Sequence, residues 1–194
     1  MVIFFHGEGD KRIGATAFTQ LTKDSDRAAG VVAASIVEQR LAECLQSRFP
    51  KGDLSEKLAA ALFHSSAALG SFSAKINVGY LFGYISAAAQ TDLQNMKEIR
   101  NRFAHRTDID SFSHPEIKSR CENLKLVDNY VKDEHPPNSY AVGEPESGVL
   151  MAFPGASEQL KDPRERYITS AMVFNFFLGA TEMTGWSRPD GPVI

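Results

Sequence analysis

Ser25-Asp26-Arg27-Ala28-Ala29-Gly30-Val31-Val32-Ala33-Ala34-Ser35-Ile36-Val37-Glu38-Gln39-Arg40-Leu41-Ala42-Glu43-Cys44-Leu45-Gln46 is the stretch that sets the fold class. Ser25 or Asp24 can cap a helix running from Asp26 to Phe49, and Pro50 with Gly52 ends it. Val31, Ser35, Glu38, Ala42, Leu45 and Phe49 recur at spacings of three and four, which places them on one helical face. Glu38 interrupts that otherwise apolar stripe.

Working outward, the pattern predicts a second helix through Glu56 to His64 and a third from Ser73 to Tyr84. Gly70 and the Gly83-Tyr84-Ile85-Ser86 stretch punctuate them. Ser86 can cap a fourth helix from Ala87 to Ala104, with Leu93, Met96, Ile99, Phe103 and Ala104 on one side and Arg100 within the same arc. His114-Pro115 opens a fifth helix expected to reach Val131, since proline is tolerated in a first turn. The last helix is expected from Arg164 to Trp186, with Ile168, Met172, Phe176 and Gly179 on one face. Asn175 within it reads as a satisfied buried amide.

The expected fold class is all-α: a compact bundle of about six helices, with room for one short strand pair. That pair would set Val149-Leu150-Met151-Ala152-Phe153 beside Val2-Ile3-Phe4-Phe5. The organisation read from the chain is an irregular N-terminal arm over 1–22, a helical domain over 23–186 carrying a proline-rich insertion at 133–163, and a C-terminal tail over 187–194.

A chain of 194 residues with 43% hydrophobic and 23% charged residues suits one ordinary domain with a sizeable core. Its formal charge of −3 argues against non-specific coating of nucleic acid, which needs many cations to neutralise phosphates. Val2 to Phe5 is too short for a signal-peptide core, and no apolar run would span a bilayer, so no membrane association and a cytoplasmic location are expected. Cys44 and Cys121 read as reduced, buried thiols. His64, His114 and His135 lack metal-ligand spacing, and neither a glycine-rich phosphate loop nor a nucleophile elbow is present. No metal and no cofactor are expected.

Arg100-Asn101-Arg102-Phe103-Ala104-His105 is the one chemically suggestive segment. Lys97, Arg100, Arg102 and Arg106 against Glu98 give it a local excess of three positive charges. Arginine offers phosphate a planar fork of donors and imidazole exchanges protons near neutrality, so Arg100 and His105 could serve phosphodiester cleavage, with Asn101 orienting either. Residues five apart on a regular helix nevertheless point about 140° from each other. Convergence needs the helix to unwind after Ala104 or a dimer to build the site. The alternative is architectural: Arg100 forms a buried pair with Glu38, the acid stranded on another apolar face, and His105 caps the helix end, and a buried Arg100 with a capping His105 would favour this reading.

From Leu21 to Thr184 the chain resembles the mannitol operon repressor (MtlR-like) family. The stretches that carry the resemblance are Ser25-Asp26-Arg27-Ala28-Ala29-Gly30 leading into Ile36-Val37-Glu38, Leu69-Gly70-Ser71-Phe72-Ser73-Ala74-Lys75-Ile76, Gly83-Tyr84-Ile85-Ser86, Ile99-Arg100-Asn101-Arg102-Phe103-Ala104-His105 and Arg164-Glu165-Arg166-Tyr167. The proline-rich insertion is not covered. The resemblance implies a compact helical fold and a transcription-related regulatory role. Arg100 to His105 separately resembles the arginine–histidine motif of HEPN domains, helical proteins that include dimeric metal-independent ribonucleases. That likeness maps catalysis onto Arg100 and His105, with Glu38 as the acid on the partner helix.

Two functions are therefore expected in competition. The first is a non-enzymatic regulatory protein, acting as a homodimer through a protein partner, in which Glu38, Arg100, Asn101 and His105 form a binding or structural polar network. The second is a metal-independent endoribonuclease or RNA-binding protein using Arg100 and His105. Direct DNA binding is not expected, because the chain is acidic and shows no helix-turn-helix.

Overall fold

The computed structural model describes residues 21, 23–131, 157–184 and 194, and every regular element among them is helical. The elements are α1 (Asp26–Gln46), α2 (Asp53–Phe63), α3 (Phe72–Leu81), α4 (Ala87–His105), α5 (Pro115–Glu122) and α6 (Pro163–Thr184). Short 3₁₀ turns lie at Leu126–Asn129 and Ser157–Lys161. The all-α expectation holds. Both halves of the expected strand pair, nearly all of the 1–22 arm, most of the 133–163 insertion and the 187–194 tail apart from Ile194 lie outside the described residues.

Side chains fix where the helices begin. Ser25, Ser71 and Ser86 each accept a hydrogen bond from the backbone N–H three residues on, at 3.3, 3.1 and 3.1 Å, satisfying a donor that no helical carbonyl can reach. Asp162 Oδ1 accepts from Glu165 N at 2.9 Å, and Pro163 follows it as the first residue of α6, where its missing N–H is harmless.

α1 lies at the centre, packed chiefly on α6 and α4 and also on α3, while α5 closes against α6 and α4. Its buried face consists of Ala29, Gly30, Ala33, Ala34, Val37, Leu41, Cys44 and Leu45. That face is rotated by about one residue from the expected stripe: Ser35 is exposed, and Val31, Glu38 and Ala42 stand at its margins. The small residues explain the rotation, because they let two large helices approach the α1 backbone. A Cβ on Gly30 would lie 2.2 Å from Cδ2 of the buried Phe103 ring. Phe103 packs on Phe112, and Phe112 on Tyr167, with ring centroids 5.0 and 5.2 Å apart.

On α4, Leu93, Met96, Ile99 and Phe103 face the core as expected, but Ala104 is exposed and Arg100 sits at the edge of the arc. From Tyr167 to Gly179, α6 is buried around most of its circumference. Its Asn175 is the satisfied amide expected, with Oδ1 accepting from Arg40 Nε at 3.0 Å.

The fifth helix stops at Glu122 instead of continuing to Val131. Asp92, buried on α4, accepts from the backbone N–H groups of Lys125 and Leu126 at 3.2 and 2.8 Å, while Arg166 donates to the Leu124 carbonyl at 2.9 Å. These bonds satisfy backbone groups that a continuing helix would have paired internally. Burial pushes the Asp92 carboxyl above the usual carboxylate range, against the opposing pull of its two backbone donors.

Candidate functional site

α1, α3 and α4 bring together Glu38, Lys75 and Arg100. Lys75 Nζ lies 2.7 Å from Glu38 Oε1 and also donates to the Gly70 carbonyl at 3.1 Å. Arg100 Nη2 reaches Glu38 Oε2 at 3.5 Å. Glu38 and Arg100 thus approach across two helices, but with side chains 22% and 29% exposed they are not the buried pair expected, and the closer partner is Lys75, only 8% exposed, which the sequence did not single out. Lys75 has to be paired, since a lone buried ammonium carries a large desolvation penalty. The segment before it explains the geometry: a Cβ on Gly70 would lie 2.3 Å from the His64 carbonyl, so only glycine allows the tight approach that aims α3 at Glu38.

The rest of the basic segment is paired with Glu98 inside it and with Asp108 and Glu116 beyond it. Arg102 pairs with Glu98 and Glu116, each at 3.0 Å. Arg106 pairs with Asp108 at 2.6 Å and Glu116 at 2.8 Å, and Lys97 with Glu98 at 3.3 Å. The Arg106 guanidinium holds Asp108 below the usual carboxylate range, and Arg106 and then Arg102 do the same to Glu116. Glu98 is raised by partial burial but held low on balance by Arg102 and Lys97. The local positive excess counted along the sequence is therefore not a free cationic patch in space.

His105 is exposed and Asn101 half-buried, and neither side chain joins the Glu38 cluster. α4 remains helical through His105, so the unwinding that would let Arg100 and His105 converge within one chain does not occur. Nor does the His105 side chain cap the helix. Arg27 does so from the first turn of α1: its guanidinium donates to the carbonyls of Phe103, Arg106 and Ile109, the last two at 3.0 and 2.5 Å. A cation in the first turn of a helix is disfavoured by its own macrodipole, which was the available sign that Arg27 serves another helix.

Its neighbour Asp26 is equally committed. Asp26 pairs with Arg164 and accepts from Ser111 Oγ at 3.1 Å and Phe112 N at 2.9 Å. Arg164 also donates to the carbonyls of Leu21 and Asp24, at 2.8 and 2.7 Å. The buried Tyr167 hydroxyl donates to the Gly30 carbonyl at 2.7 Å. Burial pushes that phenol well above its ordinary value. The Ser25–Gly30 and Arg164–Tyr167 stretches meet in space and lock α1, α4 and α6 together.

No group of three histidine, cysteine or acidic residues among those described could hold a metal ion, and no described helix is long and apolar enough to cross a membrane. The described surface also presents large apolar side chains. Leu54 and Leu58 on α2 are 71% and 56% exposed, and Tyr80, Leu81 and Phe82 stand out where α3 ends. Ala59 alone among the α2 residues is buried.

No protein-family profile matches the chain, and no curated protein matches it. Among solved structures, its fold is similar to that of MtlR in the X-ray structure of the MtlR–HPr complex from Escherichia coli. The TM-score is 0.60 and the identity 16%, over 84% of this chain and 96% of that chain. At that identity the likeness is one of fold. It agrees with the MtlR-like architecture expected from the sequence, whereas the likeness to HEPN domains finds no support among these comparisons.

Proposed function

We propose that this chain is a non-enzymatic regulatory protein that works by binding a protein partner, and that the partner is HPr. The observation that carries the reading is that α4 runs unbroken through His105, so that Arg100, which reaches Glu38 beside Lys75, and His105 stand on different sides of the helix. A fold similar to one solved with HPr, together with large exposed apolar side chains, supports a surface used for association.

A transcription-related role and a homodimer belong to the same proposal. The net charge of −3 and the internally paired basic segment favour regulation through the partner over direct contact with DNA. The test is isothermal titration of the full chain with the HPr protein encoded by the same genome. Saturable one-to-one binding with Kd of about 10 μM or tighter is expected, and no binding at about 100 μM overturns the proposal.

A further inference from the structure

Past Gln46 the chain turns through Ser47, Arg48 and Phe49, and Arg48 is half-buried there. Its guanidinium carbon lies 5.4 Å from the centroid of the Tyr84 ring. Tyr84 stacks on Phe82, with centroids 6.1 Å apart and ring planes inclined by 20°. Arg48, Tyr84 and Phe82 are therefore one continuous stack reaching the surface from the end of α1 to the end of α3.

Two features of this corner are incomplete. Arg48 Nε is buried without a hydrogen-bond partner, and no carboxylate among the described residues pairs with the guanidinium. Every cation of the basic segment on α4, by contrast, has its acid. A half-buried guanidinium without an anion forgoes part of its hydration and gains only a cation–π contact in return. Beside it Tyr80, Leu81 and Phe82 are 47%, 78% and 68% exposed in three consecutive positions. Arginine with tyrosine and phenylalanine is the composition that carries most binding energy in protein interfaces.

We infer that Arg48, Tyr80, Leu81, Phe82 and Tyr84 form the docking surface for the protein partner, which presents an aspartate or glutamate to Arg48 and an apolar side chain over Leu81 and Phe82. Charge complementarity selects this occupant: the unpaired cation needs a carboxylate, and the flanking side chains need apolar cover. This inference rests on the partner-binding reading and specifies where and how the partner is held. The leucines of α2 flank only Lys57, an exposed and hydrated cation with no buried donor to satisfy, and are not part of this surface.

The experiment is titration of the full chain with HPr from the same genome, at low and high salt, for wild type, Arg48→Gln, Leu81→Asp and Leu54→Asp. Arg48→Gln is expected to weaken binding about 10-fold and to flatten its salt dependence, because the interfacial ion pair is gone. Leu81→Asp, which sets a like charge against the partner's carboxylate, is expected to weaken it by about 100-fold. Leu54→Asp on α2 leaves it unchanged. All the substituted side chains lie partly or largely in solvent, and matching circular dichroism melts establish that each variant is folded. Binding by wild type that Arg48→Gln and Leu81→Asp alter less than about twofold overturns this inference alone, as does an equal loss in Leu54→Asp. Absence of binding by wild type overturns the partner reading and this surface with it.

Discussion

Replacing Gly30 by alanine should destabilise the protein, although the same change in an isolated helix stabilises it. In a helix interior the added methyl is worth about 1 kcal/mol, because glycine is the more flexible residue. Here that methyl would meet Phe103 Cδ2 at 2.2 Å and Cε2 at 2.6 Å, whereas carbon atoms in ordinary contact sit about 3.5 Å apart or more. The ring would have to retreat by roughly an ångström, and it has little room: Phe112 lies edge-on behind it, and Tyr167 holds Phe112 in turn. Overpacking of this kind typically costs about 1–3 kcal/mol, and a collision with a boxed-in ring belongs at the upper end. The net expectation is a loss of about 2 kcal/mol, or a Tm lower by about 4–8 °C for a chain of this size. Urea unfolding followed at 222 nm measures it, with an unchanged m-value showing that the folded state is otherwise intact. Phe103→Leu in the Gly30→Ala background should make the double variant more stable than the two single losses imply, by about 1 kcal/mol. A Gly30→Ala protein as stable as wild type, or more so, would refute the close packing of α1 on α4.

Glu38→Gln should cost about 2 kcal/mol, less than a fully buried pair because Glu38 is partly solvated, and Lys75→Met in that background should recover part of the loss, as read from thermal melts. Asp92→Ala should cost about 2 kcal/mol or more by orphaning the N–H groups of Lys125 and Leu126, and hydrogen exchange should quicken at those two amides. Burial pushes the Cys121 thiol up to about 12, so the unfolded chain ionises first and the stability held by the neutral thiol, intact below its ordinary value of 9.0, is lost as pH rises toward 12. Between about pH 8 and about pH 10.5, wild type should therefore lose about 2 kcal/mol more than Cys121→Ala in urea melts, and equal losses would contradict it.

The helices were legible because their starts are written in short-range chemistry: Ser25 and Ser86 cap by reaching donors three residues away, and such bonds need no knowledge of the rest of the fold. The approach of Glu38 and Arg100 was legible for a related reason, since two opposite charges stranded on apolar arcs each required a partner. Lys75 was not, because a lysine in a ten-residue helix looks like any solvated lysine until Gly70 aims that helix at Glu38. Asp92 and Arg27 were hidden in the same way, as ordinary polar residues whose work is to satisfy backbone groups of other segments. The overextended fifth helix follows directly from missing Asp92. The rotated face of α1 reflects a different blindness: hydrophobic periodicity gives weight to Val31 and Phe49, while close packing between helices gives it to Ala29, Gly30, Ala33 and Ala34.

The residues that mark the resemblance to mannitol repressor proteins are, in space, mostly those that hold the helices to one another. Asp26 and Arg27 at the head of α1, Gly30 against Phe103, and Arg164 with Tyr167 on α6 are spent on architecture, and Arg100 is spent on Glu38. Such a segment gives the protein a rigid body on which association can take place, and within one chain it keeps Arg100 and His105 on different sides of α4.

Incubation of mixed RNA in EDTA with the purified full chain, wild type beside His105→Ala, tests the proposed non-enzymatic role most directly. The proposed non-enzymatic role predicts RNA of unaltered length in both reactions. Cleavage by wild type that His105→Ala abolishes would contradict it.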